Sequence, residues 1–209
     1  MDYLQQLIEL YPVLEPLKAV INDSCLAIVE SFANGGKLLI AGNGGSAADA
    51  EHIVGELMKS FVKERNLPSD FREKLTKVDS EIGGYLIKRL QAGLPAINLS
   101  GHPSLNTACI NDIEGGMTFA QQVYGYAKDR DVFLGISTSG NSRNILCAAV
   151  TAKAKGLKVI ALTGGDGGLI KKIADLSIIV PEKETYKIQE LHLPVYHCLC
   201  LMIEEHFFP

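Results

Sequence analysis

The sequence lacks the features of a membrane-spanning or exported protein. No apolar run approaches the ~18 consecutive residues that a membrane-spanning helix requires. The first residues, MDYLQQLIELYPVLEPL, contain neither the basic stretch nor the apolar core of a secretory signal peptide. We therefore expect a cytoplasmic protein that has no membrane partner.

Cysteine is scarce, and its spacing shows no pairing. The chain has five cysteines, an odd number with no CxxC spacing, and they are Cys25, Cys109, Cys147, Cys198 and Cys200. This pattern argues against a zinc knuckle built from cysteine pairs and against a dithiol redox motif. Because the cysteines lie among apolar residues, we interpret them as reduced core residues, which agrees with a reducing compartment.

Long blocks of one charge sign are also absent. The formal net charge is -4, and the Lys, Arg, Asp and Glu residues that produce it are interspersed along the chain. A nucleic-acid-binding surface needs a basic patch, so we expect no nucleic-acid partner. A phosphate-bearing ligand would have to be held locally, by backbone N–H groups and hydroxyls.

Five short apolar runs alternate with amphipathic segments. They read KLLIA, PAINL, DVFLGI, KVIALT and LSIIV, and they occupy residues 37–41, 95–99, 131–136, 158–163 and 176–180. Each run is too short for a buried helix, and its hydrophobicity is typical of a strand covered on both faces. The sequence therefore predicts an α/β fold: a doubly wound, five-stranded parallel sheet flanked by helices. A chain of 209 residues, 47% of them hydrophobic, is expected to form one domain.

Two segments are assigned outside this alternation. Within an N-terminal helical segment, 1–34, residues 13–33 have the apolar spacing of one long helix, a candidate for subunit packing. Residues 58–94 are the least regular part, with prolines, glycines and many charges around two short helical patterns. We interpret 58–94 as an insertion that acts as a solvated lid or as an oligomer contact.

Three strands end in turns rich in Gly, Ser and Thr. These turns are GNGGS at 42–46, STSGNS at 137–142 and TGGDGG at 163–168. Ligands of open parallel sheets bind at the carboxyl ends of the strands, so the search for function begins there. The second turn has four hydroxyls, those of Ser137, Thr138, Ser139 and Ser142.

The hydroxyl-rich turn precedes a helical pattern that opens at about Asn141. The N-terminus of a helix offers unpaired N–H groups and partial positive charge, so the turn could hold a phosphate group without a basic side chain. An ordinary Ser or Thr cap would give a similar pattern. The recurrence of such a turn at 42–46 favours a ligand site.

The first turn also fits the fingerprint of a dinucleotide site, because Gly42, Gly44 and Ala47 match GxGxxA. That site requires an acidic residue at the end of the next strand, about 20 residues further on. Lys63-Glu64-Arg65 occupies this spacing after a helical pattern instead. We therefore expect no nucleotide cofactor.

Two segments carry residues suited to acid and base chemistry. His52 and Glu56 lie four apart in a helical pattern that Ser46 is expected to cap, so their side chains share one face. In KIQELHLPVYHCLC, Pro194 predicts that a regular helix starts near residue 190 or else kinks. Gln189 would then lie at the mouth of that helix, and His197 about two turns inside it.

A single histidine in a helix is usually an ordinary core or surface residue, and we interpret His192 and His206 in this way. His52, Glu56 and His197 differ because they form a set with the phosphate-type turns. An aldose-ketose isomerase needs one base for the carbon proton and one group that moves protons between O1 and O2. The set matches that requirement.

With these residues in place, the chain resembles the single-SIS-domain family of sedoheptulose 7-phosphate isomerases, or phosphoheptose isomerases. The segments that carry the resemblance are AGNGGSAADAEH, GISTSGNS, LTGGDGG and IQELH, together with Glu56 and His197. The resemblance covers nearly the whole chain outside 58–94. It implies an SIS-type fold and a homotetramer with active sites between neighbouring subunits and N-terminal helices packed together.

The family resemblance also implies roles for individual residues. Glu56 would take the C1 proton of sedoheptulose 7-phosphate and give an enediol on the way to D-glycero-D-manno-heptose 7-phosphate, while His197 would serve the oxygens. The phosphate would be held by Ser137, Thr138, Ser139 and Ser142, and the sugar chain by Asn43, Gly44, Ser46 and Gln189. Zn²⁺ would be carried by His52, Glu56, Gln189 and His197.

Two departures from the family pattern leave the substrate open. The loop after the second strand, SGHPSLNTACIND, has His102 near a position where many members have Asp, and the insertion at 58–94 is unusual. An isomerase of another phosphosugar therefore remains an alternative. So does a non-catalytic SIS protein that binds a sugar phosphate or associates with a replication initiator, although those relatives tend to lack residues matching Glu56 and His197.

Overall fold

A five-stranded sheet forms the centre of the computed structural model, which describes residues 2–209. The strands are β1 (Leu38–Ala41), β2 (Ala96–Asn98), β3 (Val132–Ile136), β4 (Lys158–Gly164) and β5 (Leu176–Val180). Their order is β2-β1-β3-β4-β5, and every neighbouring pair is parallel. The predicted doubly wound α/β fold with five parallel strands is confirmed.

Nine α-helices flank the sheet within residues 2–209. They are α1 (Tyr3–Leu10), α2 (Lys18–Ala33), α3 (Gly45–Met58), α4 (Ser69–Val78), α5 (Ser80–Ile87), α6 (Pro103–Asp112), α7 (Thr118–Tyr126), α8 (Arg143–Ala154) and α9 (Thr185–Phe207). Short 3₁₀ turns cover Pro12–Leu17, Leu99–Gly101, Gly115–Met117 and Ile170–Lys172.

Alternating strand residues bury both faces of the sheet. In β1, Leu38 and Ile40 join the apolar core under α1, α2, α3 and α9, whereas Leu39 and Ala41 join the core under α7 and α8. All four side chains are buried. This two-sided burial is the reason that the strand runs are apolar at nearly every position.

The order of the strands places the ligand-binding crevice. β1 lies between β2 and β3, so the chain leaves β1 in one direction, reaches β2, and then crosses back to β3. In open parallel sheets ligands bind at such a switch point, outside the carboxyl ends of the strands. The turns at 42–46 and 137–142 follow β1 and β3, and they therefore lie at this point.

The N-terminal segment differs from the predicted single helix over residues 13–33. The chain forms a 3₁₀ turn over Pro12–Leu17 before α2 begins at Lys18. Pro12 and Pro16 have no N–H to donate, so an α-helix cannot run regularly through them. A separate helix, α1, precedes this turn and packs on α9.

Of the two outcomes predicted from Pro194, a helix start near residue 190 is wrong, and a kink within a longer helix stays a prediction. α9 begins at Thr185 and continues through Pro194 to Phe207. Pro194 removes one hydrogen bond of the helix. Because Val195, Tyr196 and Leu199 are buried against the body of the protein, packing offsets that loss. Gln189 consequently lies inside the first turns of α9.

Residues 58–94 contain a helical hairpin. α4 and α5 pack against each other and leave large apolar side chains exposed, with Val78 87% and Tyr85 63% exposed. Asp79 begins α5 by accepting hydrogen bonds from the N–H groups of Glu81 and Ile82. The roles of lid and oligomer contact remain predictions for this hairpin.

Two expectations concern features that the sequence lacks: a membrane-spanning helix and paired cysteines. No helix within residues 2–209 combines the length and the apolarity that a membrane crossing requires. All five cysteines are free, as expected, and four of them are buried. Burial raises the pKa of the Cys25 thiol to about 12, so this cysteine stays protonated at neutral pH.

Candidate functional site

The candidate site is built on two helices, α3 and α9, that lie side by side and run in the same direction. At the beginning of α3, a Cβ added to Gly45 would meet the Gln189 side chain. Seven residues later along α3, His52 contacts Tyr196, and beyond the end of α3 the N–H of Phe61 bonds to Glu204. The two helices therefore keep a constant register along their whole contact.

Three of the predicted residues meet in the middle of this helix pair. His52 Nε2 lies 3.2 Å from Glu56 Oε1, and the rings of His52 and His197 have centroids 4.9 Å apart at 84°. Because His52 and Glu56 are four apart on α3, their side chains share a face, and α9 brings His197 to that face. The structure thus unites His52, Glu56 and His197.

The cluster is partly open to solvent. The side chain of His52 is 41% exposed, whereas that of Glu56 is 13% exposed. The second oxygen of Glu56, Oε2, accepts a hydrogen bond of 2.7 Å from Lys59 Nζ. Glu56 is consequently held from both sides, by an imidazole and by an ammonium group, at a surface that a ligand can reach.

His197 has an unused buried nitrogen. Its Nε2 has no hydrogen-bond partner among residues 2–209. Burial lowers the pKa of His197, the nearby His52 lowers it further, and Glu56 opposes both effects. His197 is therefore neutral near pH 7, and its Nε2 is the kind of buried polar atom that calls for a ligand, a water or an ion.

Gln189 lies apart from this cluster. Its side-chain amide packs over Gly45, at the beginning of α3. Eight residues separate Gln189 from His197 on α9, which corresponds to a rise of about 12 Å. The structure therefore places Gln189 beside the first glycine-rich turn and does not bring it to the two imidazoles.

The hydroxyl-rich turn at 137–142 is tightly supported. Ser137 Oγ donates to Ser142 Oγ at 3.1 Å, and α8 begins at the next residue, Arg143. Gly140 has φ +65°, and a Cβ there would lie 2.2 Å from the carbonyl oxygen of Gly167. Only glycine fits this contact, which locks the turn onto the loop after β4.

The two turns at the switch point are joined by a reciprocal amide pair. Asn43 Nδ2 donates to Asn144 Oδ1 at 2.9 Å, and Asn144 Nδ2 donates to Asn43 Oδ1 at 2.8 Å. Gly44, at φ +56°, is the residue before α3, so Ser46 lies inside the helix, where it is buried. The expectation that Ser46 caps α3 with its side chain is therefore wrong.

The glycine-rich turn at 42–46 and the imidazole cluster of one chain are separated along α3. His52 lies seven residues and Glu56 eleven residues beyond Gly45 along α3. At the helical rise, these spacings correspond to about 10 and 16 Å. Within a single chain, the turn at 42–46 and the imidazole cluster therefore lie along the same helix without touching each other.

The cluster has the donor types of a zinc site. Two imidazoles and a carboxylate form a set that binds Zn²⁺ in hydrolytic enzymes and leaves a position open. The 3.2 Å between His52 Nε2 and Glu56 Oε1 is close to the separation of about 3.3 Å between two ligands of tetrahedral zinc. Within residues 2–209, however, no three His, Cys, Asp or Glu side chains converge as a preformed metal cluster.

Tyr196 was missed by the sequence reasoning. It is 2% exposed, and its hydroxyl lies 3.1 Å from His52 Nδ1, on the far side of that ring from Glu56. Burial raises the pKa of the nearby Asp49 carboxyl, the Tyr196 hydroxyl opposes that effect, and Asp49 Oδ2 is left without a hydrogen-bond partner. The spacing of Asp49, three residues before His52, could have suggested a shared helix face.

A buried ion pair joins the far ends of the same helices. Arg65 Nε donates to Glu204 Oε1 at 2.7 Å, and both side chains are fully buried. The Glu204 carboxylate also accepts from the backbone N–H groups of Phe61, Val62 and Lys63. Burial raises the pKa of Glu204, but these hydrogen bonds and Arg65 outweigh it and hold the pKa below its ordinary value.

Arg65 uses its remaining donors to close α3. Its Nη1 donates to the carbonyl of Leu57 at 2.7 Å, and its Nη2 donates to the carbonyl of Glu56 at 2.9 Å. These carbonyls belong to the last turn of α3, where no intrahelical N–H is left for them. Arg65 therefore fixes the backbone that carries Glu56. The sequence gives no sign of this role, because Arg65 lies in the charged run Lys63-Glu64-Arg65.

His192 is a core residue, as expected, while His206 is exposed. His192 is completely buried beside the backbone of Thr163, at the end of β4. Burial lowers its pKa to about 4. The imidazole is therefore neutral at pH 7, and it supports the sheet end from which the loop at 163–168 starts.

Known proteins resemble this chain over most of its length. The family model of the SIS domain matches residues 2–71 and 76–164. A phosphoheptose isomerase from a Nitratiruptor species is 41% identical over 195 residues, covering 93% of this chain and 90% of that protein.

Solved structures give the same likeness. The chain matches a phosphoheptose isomerase from Francisella tularensis with a TM-score of 0.74 and 34% identity, covering 90% of this chain and 86% of that one. It matches a phosphoheptose isomerase from Neisseria gonorrhoeae with a TM-score of 0.70 and 32% identity, covering 88% and 86% of the two chains.

Proposed function

Because the chain belongs to the SIS-domain family of phosphoheptose isomerases, we propose that it converts sedoheptulose 7-phosphate into D-glycero-D-manno-heptose 7-phosphate. This reaction is an aldose-ketose isomerisation, which moves a carbonyl between C2 and C1 and serves heptose biosynthesis. The observation that carries the proposal is the meeting of Glu56 with His52 and His197 between α3 and α9.

Glu56 is the general base of this proposal. Its carboxylate removes a proton from C1 of the ketose, the C–H electron pair forms the C1–C2 double bond, and the C2 carbonyl oxygen takes up a proton from His197, which gives an enediol. Return of the proton from Glu56 to C2, with loss of the O1 proton to His197, completes the aldose. His52 and Lys59 orient the two carboxylate oxygens by direct contact.

His197 serves the oxygens. Its neutral imidazole moves a proton from O1 to O2, so that the carbonyl forms at C1 while a hydroxyl forms at C2. The lowered pKa of His197 supports this role, because a neutral ring has both a donor and an acceptor nitrogen. The unpartnered Nε2 is the atom that faces the sugar.

The phosphate end of the sugar binds at the hydroxyl-rich turn. Backbone N–H groups at the beginning of α8 and the turn's hydroxyls supply the donors, so no basic side chain is needed. The donors come from Ser137, Thr138, Ser139 and Ser142, and the sugar chain runs along Asn43, Gly44, Ser46 and Gln189. The amide pair between Asn43 and Asn144 holds the two turns in a fixed position relative to each other.

The complete site is shared between subunits of a homotetramer. This part of the proposal is supported by the separation of about 10 to 16 Å along α3 between the turn at 42–46 and the imidazole cluster of one chain. Exposed apolar side chains on α4 and α5 supply surface for subunit contact, among them Val78, Ile82 and Tyr85.

Zinc is part of the proposal through His52, Glu56 and His197, which would hold it. When bound, it supplies a Lewis acid that polarises the sugar carbonyl. Gln189 can become a fourth ligand only if its side chain leaves Gly45. Because a carboxylate bound to a metal is a weaker base, zinc held by Glu56 would act either as that Lewis acid or as an organiser of the site.

A reducing, cytoplasmic location completes the proposal. It is supported by the five free cysteines, four of them buried, which need no oxidising environment for the fold. Cell fractionation of the native host would test it, and recovery of the protein outside the cytoplasm would contradict it.

The experiment that tests the proposed function is a substrate panel. The purified protein is incubated with sedoheptulose 7-phosphate and with shorter ketose phosphates, each with and without a metal chelator, and aldose formation is measured. We expect fastest turnover of the seven-carbon substrate. Turnover of another phosphosugar alone would reassign the substrate, and binding without turnover of any substrate would identify a non-catalytic sugar-phosphate protein.

A further inference from the structure

Asn144 has a side-chain amide whose orientation is fixed by the backbone of α8. It is the second residue of this helix, and its Oδ1 lies 3.0 Å from the backbone nitrogen of Ile145. The N–H of Ile145 belongs to the first turn of α8, where the helix itself supplies no acceptor. Since a backbone N–H can only donate, the side-chain atom that faces it must be the oxygen of Asn144.

The fixed amide of Asn144 in turn fixes the orientation of the Asn43 amide. Asn144 Nδ2 donates to Asn43 Oδ1 at 2.8 Å, and Asn144 Oδ1 accepts from Asn43 Nδ2 at 2.9 Å. If the Asn43 amide were reversed, the two N–H groups would face each other, and so would the two oxygens. The bond to Asn144 uses one N–H of Asn43, so the second N–H stays available in an exposed side chain.

The backbone that carries Asn43 is held without Asn144. Ser100 Oγ donates to the carbonyl of Gly42 at 2.9 Å, and the carbonyl of Asn43 accepts from the N–H of Ser46 at 3.1 Å. Loss of the Asn144 amide would therefore release the side chain of Asn43 while the turn at 42–46 stays in place.

From these contacts we propose that Asn144 is a positioning residue, which holds the Asn43 amide so that its second N–H is presented to a hydroxyl of the sugar chain. Asn144 lies two residues after the hydroxyl-rich turn at 137–142, so it keeps this donor at a fixed distance from the residues proposed to bind the phosphate. The inference rests on the proposed function for the placement of a sugar phosphate between the two turns.

The variant Asn144→Asp separates positioning from support of the helix. Its carboxylate keeps an oxygen for the N–H of Ile145, so the beginning of α8 retains that bond, but it has no N–H to donate to Asn43 Oδ1. The second carboxylate oxygen would instead face Asn43 Oδ1. We expect Asn43 to turn its N–H groups towards the carboxylate and away from the sugar.

The test compares the affinities of two probes by calorimetry. The probes are inorganic phosphate and a seven-carbon sugar-alcohol phosphate, which has no carbonyl to isomerise. Their affinity ratio removes any charge effect that acts on the phosphate alone. We expect the preference for the sugar-alcohol phosphate to fall about 3- to 10-fold in Asn144→Asp, which corresponds to one lost hydrogen bond. The exposed Asn111→Asp should keep the wild-type preference.

A double-mutant cycle keeps the test decisive if Asn144→Asp folds poorly. Asn144→Ala should lower the same preference in the wild type and cause no further loss in Asn43→Ala, because Asn144 acts through Asn43. Equal losses in both backgrounds would overturn the proposal, as would an unchanged preference in the Asn144 variants or no preference in the wild type. The expected binding pattern without isomerisation would refute the proposed function and leave this inference standing.

Discussion

Helices α3 and α9 are joined by two polar clusters that differ in burial and in how completely their hydrogen bonds are satisfied. The clamp, Arg65 with Glu204, is fully buried, and its carboxylate accepts from three backbone N–H groups and from the guanidinium. The cluster of His52, Glu56 and His197 is half-open and contains an unpartnered imidazole nitrogen.

The difference separates a structural role from a chemical one. A buried charge pair is tolerated only when its hydrogen bonds are complete, and removal of one partner then costs folding free energy. A polar atom in a half-open cluster that has no hydrogen-bond partner is instead available to bind a ligand. We therefore expect substitutions in the clamp to affect stability and those in the cluster to affect turnover.

The largest expected effect is on catalysis by His197→Asn. Loss of a positioned acid or base typically lowers kcat by about 10²- to 10⁴-fold, because proton transfer between O1 and O2 loses its carrier. The thermal midpoint should stay close to that of the wild type. Steady-state kinetics and calorimetry measure the two quantities, with the exposed His206→Asn as control. Nearly unchanged kcat would remove His197 from the mechanism.

The next largest effect is expected on the stability of the clamp, in Glu204→Gln. It leaves Arg65 as a buried, uncompensated charge, and we expect a loss of about 3–5 kcal/mol in the free energy of unfolding. Urea denaturation measures this loss, with the exposed Glu190→Gln on the same helix as control. A single variant as stable as the wild type would contradict the assigned role of the clamp.

The neutral, buried His192 predicts a dependence of stability on pH. Its pKa is about 4 in the folded protein, below the ordinary value of about 6.5 in the unfolded chain. Between these values the unfolded state binds more protons, so stability is fully present above pH 6.5 and falls as the pH drops towards 4.

The size of this effect can be measured against a variant. Between pH 7 and pH 5, His192 should account for a loss of about 2 kcal/mol in the free energy of unfolding. Urea denaturation at both pH values should show this loss in the wild type and in the exposed control His206→Leu, and a smaller loss in His192→Leu. Equal pH dependence in all three proteins would show that His192 does not remain neutral in the core.

The smallest expected effect concerns Lys59. Its ion pair with Glu56 is exposed on the lysine side, where 57% of the side chain is accessible. Exposed pairs contribute about 0–1 kcal/mol, so Lys59→Met should change the free energy of unfolding by less than about 1 kcal/mol. A loss in urea denaturation that approaches that of Glu204→Gln would erase the distinction between the two clusters.

The strands of the sheet could be predicted from the sequence because their signal is local. Strand runs buried on both faces are apolar throughout, and the expected run at 176–180 coincides with β5, whose observed span is Leu176–Val180. The start of α9 could not be found locally. Pro194 indicates a helix start, but packing of Val195 and Tyr196 against the body of the protein outweighs one missing hydrogen bond.

The candidate site was only partly predictable for a related reason. Pairs within one helix, such as His52 and Glu56, follow from spacing alone. The contacts of His52 with Tyr196, and of Arg65 with Glu204, depend on the register of α3 against α9, which no local pattern specifies. Gln189 was grouped with the imidazoles by resemblance, whereas its helix position places it about two turns away.

Exchange of the C1 proton tests the central claim most directly. Wild type, Glu56→Gln and the exposed control Glu51→Gln are incubated with sedoheptulose 7-phosphate in D₂O, with substrate binding checked by calorimetry. The account predicts deuterium at C1 of the recovered ketose with wild type and Glu51→Gln, and none with Glu56→Gln despite unimpaired binding. Undiminished exchange and turnover in Glu56→Gln would contradict it.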